Sequence, residues 1–127
     1  EDVKWFPGGD SRVLMIAHGI VKAGVDFQKL KPEDLELREK KVRIRLPAPQ
    51  ITDCYLDEKQ TQIVERSTGL LRNFDKDLEQ TARLIAVDDV RRGARNAGIL
   101  KDADERARNQ VEKFFQQMGY EVEFLSR

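Results

Sequence analysis

The sequence predicts an α+β fold: a mostly antiparallel sheet of about five or six strands, two C-terminal amphipathic helices packed on one face, and a final strand returning to the sheet. Two observations carry this expectation. Residues 13 to about 65 alternate apolar and polar side chains with a period of two, whereas residues 76–118 repeat them with a period near 3.6. A last alternating run, Tyr120 to Leu125, follows Gly119.

Residues 1–12 read as a lead-in segment, because Pro7, Gly8 and Gly9 suit a turn, and residues 13–127 as a single α+β domain. Val13 to Lys22 is the most apolar stretch and reads as a central strand buried on both faces. Gly19 and Gly24 mark a bulge or a close approach of backbones. Leu35 to Leu46 reads as a hairpin turning at Arg38 to Lys41. Leu35, Leu37, Val42, Ile44 and Leu46 face the core, and Glu36, Arg43 and Arg45 face water. Pro47 and Pro49 stop the strand, since proline cannot donate to a ladder. Ile51 to Leu56 and Gln62 to Glu65 complete the β half.

From Asp75, a plausible N-cap, Leu78, Ala82, Ile85, Ala86 and Val90 recur on one helical face. Gly98 ends or bends that helix, and Asp102 can cap the next one. Its stripe of Ala107, Val111, Phe114, Phe115 and Met118 reads as core. Truncating Phe114 or Phe115 is accordingly expected to destabilise the fold by roughly 3–5 kcal/mol. Gly119 falls where a left-handed C-cap is needed.

Composition narrows function. The 127 residues contain 23 basic and 23 acidic side chains, and this balance argues against nucleic acid as a partner. The arginines at 91, 92 and 95 are interleaved with acids and lack nearby aromatic platforms. The glycines form no phosphate-binding pattern, so no cofactor is expected. One histidine, His18, and one cysteine, Cys54, do not make a metal site, and none is expected. Acidic groups such as Asp88-Asp89 are explained by i, i+3 and i, i+4 pairs with arginines.

The functional expectation is a non-enzymatic binding or scaffolding module with a protein partner, or one that associates with itself. Its contact residues are Trp5, Phe6, Leu46, Pro47, Pro49, Leu70 and Leu71, apolar groups at predicted loops. The alternative is a small hydrolase or sensor with a cleft near His18, Cys54 and Tyr55, in which imidazole would activate thiol.

The segments GIVKAGVDFQKLKPEDLEL, VRIRLPAPQI, STGLLRNF and ARNAGILKDADERARNQVEKFFQQMGYEVEF, in that order, resemble the bacterial domain of unknown function 4230 family across about residues 12–125. The resemblance implies no catalytic residue. It does imply an intact protein tethered to a membrane with this domain outside the cytoplasm; a cytoplasmic location stays open. The chain opens on Glu1 and holds no apolar run long enough to span a bilayer. Membrane attachment is therefore expected only through a segment this chain does not contain.

Overall fold

The computed structural model describes the backbone of residues 2–8, 11–67 and 76–127, and side chains from 14 to 63 and from 78 onward. The fold is α+β, as the two periods predict. The strands are β1 Asp2–Gly8, β2 Ser11–Ala17, β3 Gly19–Gly24, β4 Leu35–Arg38, β5 Lys41–Ile44, β6 Gln50–Leu56, β7 Gln62–Ser67 and β8 Glu121–Phe124. The helices are α1 Lys76–Asn96 and α2 Ile99–Gln117. Among the described residues the strands form three sheets, ordered β1-β2-β7, β3-β6 and β4-β5-β8. Two compact units result: residues 1–22 with 53–97, and residues 23–52 with 98–127.

In the first unit β2 is the middle strand, pairing antiparallel with β1 and with β7. The segment expected as a lead-in is thus strand over Asp2–Gly8. Pro7 is compatible with this because, among the described residues, β1 pairs on one side only, and an edge strand tolerates a proline whose nitrogen faces its open side. The single strand expected over Val13 to Lys22 is interrupted at His18. There the backbone N–H donates to Thr61 Oγ1 (3.3 Å) and the carbonyl accepts from the Asp57 N–H (2.7 Å). The core joins Met15 and Ala17 of β2, Leu56 of β6, and Ala82 and Ala86 of α1. Small residues on α1 bring its axis close to the strands. A Cβ on Gly19 would lie 2.2 Å from a Val90 methyl, so only glycine fits. The close approach read at Gly19 is real, whereas around Gly24 there is open space.

In the second unit β4 and β5 form an antiparallel hairpin, and β8 joins β5 in parallel, Val42 beside Val122 and Ile44 beside Phe124. The hairpin turns on Glu39 and Lys40, with Glu39 at φ 56°. Helix α2 lies against β8 and contributes Ala107, Val111 and Phe115 to a core built on Val42, Ile44 and Leu46. Each helix thus packs within its own unit. Gly98, at φ 91°, is the N-cap residue of α2, one turn before the Asp102 expected there. Asp102 sits in the first turn, where its carboxylate faces the positive end of the helix dipole. Gly119 adopts φ 87°, the left-handed stop predicted for it.

The chain end is clasped onto this unit. Arg127 donates from Nε to the Leu46 carbonyl (2.9 Å) and from Nη2 to the Pro47 carbonyl (3.1 Å), and pairs with Asp104 on α2. Arg45 Nε donates to the Ser126 carbonyl (2.9 Å). The Arg108 guanidinium stands 5.0 Å above the Phe124 ring while bonding Asp104 (3.0 Å).

Candidate functional site

The residues expected to meet a partner divide into three groups. Trp5 and Phe6 belong to β1, opposite Leu14 and Val13, but their side chains lie outside the described residues, as do Leu70 and Leu71 altogether. Leu46 is 2% exposed and belongs to the core of the second unit, so its side chain is not at the surface. Pro47 and Pro49 are half-buried in the loop after β5, where the Pro47 carbonyl is held by Arg127. Alternation predicted Leu46 inside; its place next to prolines suggested a corner instead, and the burial pattern prevails.

A different apolar surface emerges from the second unit. The cross-strand pairs Leu35–Ile44 and Leu37–Val42 put all four side chains on one face of the sheet. Ile44 and Val42 are buried under α2, yet Leu35 is 38% exposed and Leu37 56%. The reason is lateral. Strand order β4-β5-β8 makes β4 an edge, and α2 packs over the opposite edge, β8. Glu112 and Gln116 of α2 line a hollow along β8 with Lys41, Glu121, Val122 and Glu123. Phe114 lies about 160° around the helix from both, on the flank away from that hollow. It is 58% exposed, as is Met118 one turn on.

Sequence reasoning assigned Phe114 and Met118 to the core together with Phe115. Only Phe115 is there, edge-on to Phe114 (centroids 5.2 Å apart) and to Tyr120 (6.3 Å). The signal for Phe114 was present but ambiguous, because a stripe of five apolar positions that includes the adjacent Phe114 and Phe115 is wider than one helix can bury against a three-stranded sheet.

Polar chemistry around this surface is ordinary charge pairing. On the outer face, Arg43 bonds Glu123 (3.0 Å) and approaches Glu36 (3.6 Å), and Lys41 approaches Glu123 (3.6 Å). Arg38 lies 3.7 Å from Glu36. These pairs are half exposed or, at Arg38, more, and add little to stability. Asp104 is held below its ordinary carboxylate range by the hydrogen bond from Arg127, with a second from Arg108, against an opposing effect of burial.

Of the residues of the alternative reading, His18 and Cys54 make structural contacts, and Tyr55 is exposed. His18 is fixed by its backbone at the break between β2 and β3. The Cys54 thiol, half-buried, donates to the Val87 carbonyl of α1 at 3.6 Å. Among the described residues no group of three His, Cys, Asp or Glu side chains could hold a metal ion. On α1, Arg91 bonds Asp88 (2.9 Å) and Arg92 approaches Asp89 (3.7 Å), each an i, i+3 pair. No described helix is long and apolar enough to cross a membrane.

Comparison with known proteins adds a family. The profile described as "Protein of unknown function (DUF4230)" matches residues 1–124, and the chain belongs to that family. No curated protein and no solved structure matches it.

Proposed function

We propose that this member of the DUF4230 family is a non-enzymatic binding module that holds a protein partner on the apolar side of its second unit. The observation that supports the reading is the exposure of Leu35, Leu37, Phe114 and Met118 within one small unit. Leucine and phenylalanine side chains exposed to this degree each forgo roughly 1–2 kcal/mol of burial, which a partner surface recovers. A monomeric domain scatters such residues singly, whereas a cluster rimmed by charge is the usual form of a protein contact site. The opposite face of the same hairpin carries the charges Glu36, Arg38, Lys41 and Arg43.

The proposal includes tethering of the intact protein to a membrane, with this domain extracytoplasmic. That part is supported by the family likeness alone, and its anchor would lie outside the described helices. An upstream reading frame encoding about 20 consecutive apolar residues is the expected finding.

The binding reading is tested by immobilising the chain and its Leu37→Asp variant in native extract of the producing cells. A protein retained by the first and lost from the second, with both melting at the same temperature, is the expected result. Retention unaffected by Leu37→Asp contradicts it.

A further inference from the structure

We infer that the partner of this surface is a second copy of the chain, docked by antiparallel pairing of β4 with β4 about a two-fold axis through Leu37. The inference rests on the binding-module reading and names its occupant.

The backbone comes first. Arg45 N–H donates to the Asp34 carbonyl (2.8 Å), which sets the alternation along the hairpin. Glu36 with Arg43 and Arg38 with Lys41 therefore exchange bonds inside the hairpin, and Leu35 and Leu37 direct their backbone groups away from β5. The Leu35 N–H confirms this direction by donating outward to the Pro32 carbonyl of the preceding 3₁₀ turn. Among the described residues the Leu37 N–H and carbonyl are left on the open edge. A two-fold axis at Leu37 satisfies both at once, each Leu37 N–H meeting the other copy's Leu37 carbonyl. An unpaired strand edge of this kind is a template for another strand.

The side chains agree with that register. Pairing centred on Leu37 puts Glu36 opposite Arg38 of the second copy, and by symmetry Arg38 opposite its Glu36. Both are strongly exposed, with side-chain accessibilities of 47% and 82%. Opposite charges directly across a strand pair are stabilising, and like charges are destabilising. On the other face the two Leu37 side chains meet, and Leu35 of each copy falls beside this pair, across from the turn residue Glu39 of the other copy. The other edge, β8, fails the same test. Pairing it with itself about Val122 would set Glu121 against Glu123 twice. An isologous β4 contact also closes on itself, whereas β4 against β8 would propagate.

Four residues per strand make a small interface, so association should be weak and visible only at high concentration. The test is sedimentation velocity of the whole chain from micromolar to millimolar protein, with Glu36→Arg, Arg38→Glu and their equimolar mixture. Glu36→Arg places arginine against arginine in a self-pair, and Arg38→Glu places glutamate against glutamate. The mixture restores both opposite-charge pairs. The wild type is expected to form dimers reversibly, each variant alone to dimerise about tenfold more weakly, and the mixture to recover the wild-type constant. Circular dichroism controls for folding of each variant. A wild type monomeric at every concentration, species larger than dimers, or variants that dimerise as well as wild type would overturn the inference. The first of these outcomes leaves the binding-module reading intact, because capture of a different protein through Leu37 is measured separately.

Discussion

Strands β4 and β5 carry the same pattern, Leu-Glu-Leu-Arg and Lys-Val-Arg-Ile, and meet opposite fates. Val42 and Ile44 of β5 are 0% and 3% exposed, and their direct neighbours Leu35 and Leu37 on β4 are 38% and 56% exposed. Alternation determines which face a side chain occupies; what lies above that face depends on where the helix is placed. Helix α2 is held toward β8 by the Arg108–Phe124 stack and by Arg127, which ties the chain end to Asp104 and the loop after β5. The lateral offset leaves β4 bare. The same offset separates Phe115 from Phe114, adjacent in sequence and on opposite sides of the boundary between core and surface.

Substitutions that sharpen the contrast should differ widely in effect. Phe115→Ala removes a ring packed on Tyr120 and the second core, and is expected to destabilise by roughly 3–5 kcal/mol in urea unfolding. Phe114→Ala should remain near 1 kcal/mol, chiefly the loss of its edge contact with Phe115. Equal effects from the two would mean that both rings are core. In the first unit, Gly19→Ala must displace Val90 or bend β3 away from α1, with an expected loss of about 1–3 kcal/mol, while Gly24→Ala should be nearly neutral.

A smaller effect tests the clasp that sets the offset. Asp104 titrates below its ordinary 3.8 in the folded chain because Arg127 and Arg108 stabilise the carboxylate. The stability it contributes is therefore complete above the unfolded value and is lost as pH falls through the folded one. Unfolding midpoints measured from neutral pH down into this acid range should decline, and Asp104→Asn should flatten the decline. The smallest change concerns the hairpin turn. Glu39 occupies φ 56°, which glycine adopts without strain, so Glu39→Gly should raise stability by about 0.5–1 kcal/mol.

Much of the fold was legible because its elements rest on local rules. The switch of period between the strands and the helices, the hairpin around Arg38 to Lys41 and the left-handed Gly119 all follow from residues close in sequence; the tight fit at Gly19, made against Val90, was legible only as a glycine inside a strand. Asp2–Gly8 was missed because Pro7 reads as a breaker unless the strand is known to lie at an edge. The site was less legible. Leu46 looked available beside two prolines and is buried, while Leu35, Leu37, Phe114 and Met118 looked buried and are exposed. Each of these depends on the position of α2 across three strands, which is set by contacts some 20 to 80 residues apart, such as Arg127 with Leu46 and with Asp104.

The most direct test is urea unfolding of the double variant Leu35→Ser/Leu37→Ser beside Ile44→Ser, at protein concentrations low enough to keep the chain monomeric. If the β4 face is a contact surface, the double variant should unfold within about 1 kcal/mol of wild type, as surface changes do. Ile44→Ser should lose about 3 kcal/mol or more, because it leaves both a cavity and a buried hydroxyl. A double variant as damaged as Ile44→Ser would show that these leucines belong to the interior and would remove the contact surface on which the functional reading stands.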